Sequence, residues 1–360
     1  MKLSIIGLPL SGVTTVFNAL TGRHADASRS FAKPGEPHIA VVKVPDSRVD
    51  FLAAMYKPKK ITHASVEYME VPGFLSASTG GATADSAASG IVRDSDACVK
   101  VLRKFDSDAA PNPRGTNDPA RDLSDINDEL LTLDMAVIEK RVQRLRKDAN
   151  KPLPEAEKKQ NQAELAALER CLATVEDGKH LDQVHLSQQE DRLLRGFRFL
   201  TAKRSIHVVN VNETEIGSDG VPAGLPPENS IAFCAKIEDE LGQLDEADRA
   251  EFLADLGIRE LARDGLVEMS YKVLGLISFL TIGEDEVRAW TLRAGSTALD
   301  AAGTIHSDLA RGFIRAEVMR FEDLKRLGSE REVKAKGLAR LEGRDYAVQD
   351  GDILNIRFGV

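Results

Sequence analysis

The stretch "IIGLPLSGVTT", residues 5–15, has the spacing of a phosphate-binding loop. Gly7 and Gly12 are separated as in the motif G-x-x-x-x-G-K-[ST], and Thr14 occupies the hydroxyl position of that motif. Val13 stands where the motif has its lysine. The sequence therefore predicts the outline of a phosphate site without the ammonium group that neutralises the β- and γ-phosphates.

The residues around this loop predict the surroundings that a phosphate loop requires. "LSIIGL" is a short apolar run typical of a buried strand, and "TTVFNALTG" predicts a helix that ends at Gly22. Backbone N–H groups at the start of such a helix attract phosphate even without a lysine. The spacing is not G-x-G-x-x-G, which disfavours a dinucleotide site. The alternative is a strand–glycine–helix turn with no ligand.

Composition sets only broad limits on the function. The chain has 360 residues, 29% charged and 42% hydrophobic, as expected of a soluble globular protein with two or three domains. Its net charge of −9 disfavours attraction of polyanions by the molecule as a whole, but it is compatible with a local basic patch. Three cysteines without a CxxC pair indicate reduced thiols and no metal site. Without a signal peptide or long apolar span, we expect a cytoplasmic protein with no membrane partner.

Two further stretches predict the rest of a nucleotide site. "ASVEYMEVPGF", residues 64–74, predicts a strand ending at Glu70, where phosphate-loop NTPases have an Asp that helps to hold Mg²⁺. "SIHVVNVNE", residues 205–213, predicts a strand followed by Asn210 and Glu213, which suit the donor and acceptor edge of a purine. The alternative for the second stretch is a polar turn.

The middle of the chain predicts a helical hairpin. Two helical stripes are separated by "NKPLPE" (150–155), which breaks the helix. The stripes comprise Ile126, Leu130, Leu133 and Val137, and Leu165, Leu168, Leu172 and Val175. Residues 139–159 hold eight Lys or Arg against four acids, a net charge of +4. This tip is either a solvated helix face or a surface that meets RNA.

The C-terminal region predicts a small β-rich module. "VRAWTL" (287–292) and "ILNIRFGV" (353–360) are typical of strands, and residues 298–309 predict one helix. Gly351 in "QDGD" suits a turn. A β-grasp fold accounts for this pattern, and since the region has no evident nucleophile–base pair, we expect it to bind rather than catalyse.

The order of these pieces resembles the YchF/Obg-like ATPase family of translation-associated phosphate-loop proteins. The similarity covers "GLPLSGVTTVFNALTG", "EPHIAVVKVPDSRVDFLAAMYKPKK", "NVNE" and residues 312–358, whose "LEGRDYAVQDGDILNIRF" resembles the family's ubiquitin-like TGS domain. The resemblance implies an α/β fold with a phosphate-loop G domain, an inserted antiparallel helical hairpin and a C-terminal β-grasp (TGS) domain. We assign these to residues 1–122 with 199–278, to 123–198 and to 279–360.

The resemblance also implies ligands and partners. The expected nucleotide is ATP or GTP with Mg²⁺, and the carboxylate of Glu213 in place of Asp is associated in the family with acceptance of adenine. Expected nucleotide-binding residues are Gly7, Leu10, Ser11, Gly12, Val13, Thr14, Thr15, Asn210, Val211 and Glu213, and the expected Mg²⁺ residues are Thr14 and Glu70. The ribosome or RNA is the expected partner of the hairpin tip and the TGS-like module.

Departures from the family pattern cluster at the nucleotide site. Besides Val13, Pro34 aligns with an expected threonine, Glu70 replaces Asp, and Phe74 replaces leucine. Residues 106–122 lack the histidine that the family uses in a catalytic role. We therefore expect weak or absent hydrolysis and assign no catalytic residue. Lys33 is the nearby basic residue considered as a substitute for the lost lysine. The alternative is a pseudo-NTPase scaffold that binds the ribosome or another partner without nucleotide.

Overall fold

The computed structural model describes residues 1–22, 37–71, 73–75, 86–149, 151–216, 221–255 and 261–359. Lys33 and Pro34 lie outside these ranges. The chain forms two compact units, the first made of residues 1–40 and 67–263 and the second of residues 41–66 and 264–360. Residues 41–66 thus group with the C-terminal region, whereas from the sequence we had assigned them to the phosphate-loop domain.

The described strands and α-helices are numbered here in chain order. The strands are β1 (Lys2–Gly7), β2 (His38–Lys43), β3 (Lys60–Thr62), β4 (Ser65–Glu70), β5 (Ala97–Arg103), β6 (Ser205–Asn210), β7 (Ser230–Phe233), β8 (Leu276–Thr281), β9 (Glu286–Arg293), β10 (Phe313–Arg320), β11 (Arg340–Glu342) and β12 (Asp352–Phe358). The α-helices are α1 (Val13–Thr21), α2 (Ser47–Tyr56), α3 (Ser86–Asp94), α4 (Pro119–Asp148), α5 (Glu155–Glu176), α6 (Gln188–Leu194), α7 (Ala235–Leu241), α8 (Glu246–Asp255), α9 (Ala262–Val273), α10 (Ala298–Ile305), α11 (Ser307–Arg311), α12 (Phe321–Leu327) and α13 (Glu330–Ala335).

The first unit is built on a sheet of strand order β2-β4-β1-β5-β6-β7. Strand β1 pairs in parallel with β4 and β5, and β6 pairs in parallel with β5 and β7. Every residue of β5 (ACVKVLR) is buried, as befits a strand with neighbours on both sides. Because β1 and β4–β7 are parallel, their carboxyl ends meet at one edge, where α/β proteins bind ligands. The candidate site lies at that edge.

The loop and helix after β1 follow the sequence prediction. Helix α1 begins at Val13 and buries Val16 and Phe17. It ends at Gly22, which has φ +64 and whose backbone N–H donates to the carbonyl of Asn18. A left-handed glycine is a common way for a helix to end. The predicted strand–glycine loop–helix order is confirmed.

The predicted helix pair is present, but its two apolar stripes pack mainly into different cores. Helices α4 and α5 are joined by residues 149–154 and share a core that includes Ile138, Val142 and Leu168. Ile126 and Leu130 instead pack into the core of the sheet. The first part of α4 therefore anchors to the sheet, and only its later turns face α5.

The second unit contains a mixed sheet of order β11-β10-β12-β8-β9-β3. The predicted strands correspond to β9 and β12, and Gly351 has φ +82 in the predicted turn. The single helix predicted over 298–309 is wrong, because it is two helices separated at His306. His306 is extended (φ −164) and its Nδ1 accepts the backbone N–H of Asp308, so its side chain caps the second helix.

Two features bear on membranes and redox chemistry. Within the described ranges, no helix has both the length and the apolar character needed to cross a bilayer. Cys98, Cys171 and Cys234 are all buried and form no disulfide within the described residues.

Candidate nucleotide-binding site

The loop after β1 has the backbone geometry of a phosphate cradle. Leu10 (φ +63) and Gly12 (φ +92) both adopt left-handed conformations, which turn successive peptide groups inward. A Cβ at Gly7 would lie 2.5 Å from the Ser11 hydroxyl and 2.8 Å from Val13 Cγ2, and a Cβ at Gly12 would collide with the Asn210 amide nitrogen. Both glycines are therefore required by close packing.

The start of α1 faces a cavity of about 560 Å³. The cavity is lined by the loop residues 7–15, by residues of the segment after β4 (Val71 and 73–75), and by Phe105, Ser107 and Ala110. No described side chain caps the N terminus of α1, so its first N–H groups keep their capacity to bind an anion. Val13 contributes only an apolar side chain here, packed over Gly7.

The two predicted Mg²⁺ residues contact each other. The Thr14 hydroxyl donates to Glu70 Oε1, and the Glu70 carboxylate is 2% exposed. His38 Nδ1 donates to the other carboxylate oxygen of Glu70 at 2.8 Å. This places a hydroxyl, a carboxylate and an imidazole together beside the phosphate loop, from α1, β4 and β2.

Asn210 connects the phosphate loop to the segment after β7. Its Nδ2 donates to the Ser11 carbonyl at 3.1 Å, and its Oδ1 accepts the Ala235 backbone N–H at 3.2 Å. The residue is 5% exposed. Asn210 thus holds the two halves of the candidate site in a fixed relation, which the sequence prediction of a base contact alone had not anticipated.

A second cavity of about 600 Å³ lies beside the first and shares Thr15, Phe105 and Ser107 with it. Its remaining lining comes from Asp106 and the segments 210–214 and 234–236. Glu213 is half-exposed, and its Oε1 accepts a hydrogen bond from Lys236 Nζ at 2.5 Å. The carboxylate expected to face a base therefore shares this cavity with a cation.

These residues fit a nucleotide with Mg²⁺ in most respects. The cradle excludes side chains at Gly7 and Gly12, and adjoining cavities run from the loop to Asn210 and Glu213. Among the described residues no group of three His, Cys, Asp or Glu side chains could hold a metal alone. Mg²⁺ commonly takes only one or two protein ligands and fills its shell with water and phosphate oxygens. The predicted pair, Thr14 and Glu70, matches that number of protein ligands.

The predicted nucleotide-binding residues divide between the two cavities. The loop residues 7–15 line the first cavity, residues 210–213 line the second, and Val211 is also part of the core. Phe74 lines the first cavity, while Asn112, in the segment that lacks the family histidine, forms hydrogen bonds with residues 114–117 of the same segment. His38 was missed. Its signal was a lone histidine opening the strand that lies beside β4.

Comparison with known proteins identifies the family. The family YchF-GTPase_C, described as "Protein of unknown function (DUF933)", matches residues 276–359. A Haemophilus influenzae protein named "Ribosome-binding ATPase YchF" is 36% identical over 365 residues, covering 100% of this chain and 99% of its own length. The chain belongs to the YchF family.

Other YchF relatives agree over the same span. The Bacillus subtilis "Ribosome-binding ATPase YchF" is 36% identical, with 99% of this chain and 98% of that protein covered. The "Structure of the Schizosaccharomyces pombe YchF GTPase" matches with a TM-score of 0.81 at 29% identity, over 99% of this chain and 97% of that one. The α/β fold expected from the family resemblance is confirmed.

Proposed function

We propose that this YchF-family chain is a cytoplasmic, ribosome-associated protein that binds a purine nucleotide with Mg²⁺ and hydrolyses it slowly or not at all. The observation that supports nucleotide binding is the pair of Asn210 hydrogen bonds, one to Ser11 of the phosphate loop and one to Ala235, which lines the second cavity. A polar turn with no ligand has no need for a buried amide that joins these two segments. The relatives named as ribosome-binding ATPases support both parts of the proposal.

In this proposal each part of the site has a role of its own. The backbone N–H groups of residues 7–14 and the N terminus of α1 bind the phosphates. Thr14 and Glu70 hold Mg²⁺, which supplies charge neutralisation of the phosphate oxygens when bound. Asn210 positions the base-side segment, and Glu213 accepts N–H groups of adenine. Val13 supplies no cation, and Asn112 stands in the segment where the family has a catalytic histidine, so we expect the phosphate bond to persist.

Isothermal titration calorimetry with MgATP and MgGTP tests this. We expect one saturable site with ATP preferred, and release of phosphate from bound ATP far slower than by an ordinary NTPase. Glu213→Gln should reduce the preference for ATP, while Glu215→Gln, whose carboxylate pairs with Lys104, serves as the matched control. Submicromolar binding of GTP with ATP excluded would overturn the choice of base.

A scaffold that binds no nucleotide is the second candidate. It is favoured by the packing of Val13 Cγ2 over Gly7, inside the loop, where the motif would place a lysine stem. Absence of heat with both nucleotides, from a protein that still sediments with ribosomes, would establish this scaffold role and end the nucleotide proposal.

For the ribosome we propose a contact through the hairpin tip, residues 139–159. Five of its eight cations are already paired with acids: Arg141, Arg144, Arg146, Lys151 and Lys158. Lys140, Lys147 and Lys159 are exposed and have no ion pair within the described part of the chain. These three lysines are the ones available to phosphates, and each contact would release counterions and make binding salt-sensitive.

A charge-reversal pair tests the tip. Lys147→Glu with Lys159→Glu should weaken co-sedimentation with ribosomes at low salt. The control, Lys179→Glu with Arg192→Glu, makes the same charge change beyond the far end of α5, a helix about 33 Å long. If both pairs sediment equally, the tip is only a solvated face.

A further inference from the structure

A buried cation lies next to the phosphate loop, on a residue that is not part of the loop motif. Arg103 is the last residue of β5 and only 3% exposed. Its Nη1 donates to the Leu10 carbonyl at 2.9 Å, its Nε to Phe105 at 3.2 Å, and its Nη2 to Ala110 at 2.6 Å. All three acceptor residues line the 560 Å³ cavity of the phosphate loop.

Among the residues that the structure describes, no acid forms an ion pair with this guanidinium. Within the described residues, no carboxylate lies within 4.0 Å of Arg103, whose partners are three carbonyls and the face of the Phe105 ring at 4.2 Å. Carbonyl dipoles satisfy the N–H groups but carry no net charge. Buried charged side chains are almost always paired, because an unpaired charge in a low dielectric is costly. An anion in the adjoining cavity would supply the missing charge.

The next residue provides a contrast. Lys104 is about one-third exposed, and its Nζ lies 2.6 Å from Glu215. Its charge is therefore both balanced and screened by solvent. Of these two adjacent cations, only Arg103 directs an uncompensated charge to the loop.

We propose that Arg103 is the cation that replaces the missing lysine, acting through the loop wall as an electrostatic and positioning residue for a polyphosphate. It holds the Leu10 carbonyl away from the cavity, so that this carbonyl does not repel phosphate oxygens, and it adds a positive charge behind Leu10, Phe105 and Ala110. This inference rests on the proposed nucleotide function and adds to it the source of charge. It also explains how a loop containing Val13 retains affinity for a polyanion.

The test compares charge with hydrogen bonding at one position. Arg103→Gln removes the charge, whereas Arg103→Lys keeps the charge and gives up the planar fork. Calorimetry with Mg²⁺ and inorganic tripolyphosphate, and then with MgATP, measures each affinity. We expect Arg103→Gln to bind both ligands about tenfold more weakly, from the loss of one charge at an effective dielectric near 20. Arg103→Lys and the control Lys104→Gln should stay within about threefold of the unaltered protein.

The outcomes separate the inference from the function on which it rests. Equal losses of affinity in both Arg103 variants would show that the residue acts only through its hydrogen bonds. No loss in Arg103→Gln would exclude a role for its charge. Either result overturns the inference. Binding of tripolyphosphate but of neither ATP nor GTP would end the proposed function and leave the inference standing. No binding of any of the three would end both. If Arg103→Gln does not fold, Arg103→Lys alone decides, because a tenfold loss there contradicts a role for charge.

Discussion

At the scale of single residues, the site differs from the usual phosphate loop mainly in which group carries charge. Val13 leaves the loop with backbone dipoles and a hydroxyl, and Glu70 contributes a buried carboxylate held by Thr14 and His38. In the proposed site the loop has the geometry to orient a ligand, while the positive charge comes from Arg103 behind the loop and not from residue 13. Geometry and charge can be restored or removed separately, because they reside on different residues.

Val13→Lys should raise affinity for MgATP without restoring hydrolysis. A charge-assisted hydrogen bond contributes about 1.5–3 kcal/mol, which corresponds to about 10- to 150-fold in affinity. Glu70 and the histidine-free segment 106–122 are unchanged in this variant. Calorimetry and phosphate release measure the two effects, with Val13→Ala as the control for loss of the packed side chain. Turnover at the rate of an ordinary NTPase would show that Val13 alone had silenced the site.

Asn210→Ala should weaken both stability and binding. The change leaves the Ser11 carbonyl and the Ala235 N–H without their partner in a buried position, at a cost of about 1–3 kcal/mol. Nucleotide affinity should fall as well, since the two segments lose their link. Urea unfolding and calorimetry measure these effects. Asn229→Ala, at a partly buried position just before β7 and outside both cavities, is the control and should change neither.

At the scale of elements, one carboxylate anchors the helical pair to its sheet. Asp134 of α4 is fully buried, and Oδ1 accepts Arg93 Nη1 at 2.7 Å and the Leu200 N–H at 3.0 Å. Its Oδ2 accepts both the backbone N–H and the hydroxyl of Thr201. These contacts join helix α4 to helix α3 and to the segment before β6. They lie near the start of the hairpin, where polar groups are shielded from water.

Asp134→Ala should destabilise the first unit by about 3–5 kcal/mol, because Arg93 would be left without its buried partner. Asp128→Ala removes an exposed acid from the same helix, and its effect should stay within about 0.5 kcal/mol. Urea unfolding followed by far-ultraviolet circular dichroism measures both. Identical curves for the two variants would show that the anchor contributes nothing.

His207 on β6 should make the stability of the first unit depend on pH. Burial, with Lys100 and His180 nearby, lowers its pKa from 6.5 to about 4. Below pH 6.5 the unfolded chain binds a proton that the folded chain refuses until pH 4, so the free energy of unfolding falls as pH falls through this window. Between pH 7.5 and 5 the loss should be about 2 kcal/mol. Urea unfolding at both pH values measures it, and His207→Gln should remove that part of the loss.

The element order was predictable from the sequence because local patterns determine it. Gly7 and Gly12 marked the loop, Gly22 the end of α1, and "NKPLPE" the break between the long helices. Contacts between distant residues were not predictable in the same way. Arg103 and His38 act through partners that are 93 and 32 residues away, and no local spacing encodes such pairs. The break at His306 was missed because a side-chain cap overrode an otherwise helical run.

At the scale of the whole molecule, the only tryptophan gives a way to follow the two units apart. Trp290 lies in β9 of the second unit, whereas the candidate site belongs wholly to the first. MgATP at about 100 times its Kd should stabilise the first unit by about 2.7 kcal/mol. Thermal scans should then show a shift in circular dichroism that tryptophan fluorescence does not share. The Asn210→Ala variant, with its weaker affinity, is the control and should show a smaller shift. Equal shifts in both signals would mean that the two units unfold as one.

The division of the chain into units also has a consequence for its synthesis. Strand β3 pairs with β9, yet residues 62 and 286 are separated by the rest of the first unit. A ribosome adding about 5–20 residues per second needs roughly 10–45 s to cover that interval. During this time strand β3 has emerged without its partner β9, while the first unit folds as its own residues emerge. The C-terminal unit is thus begun early and completed last.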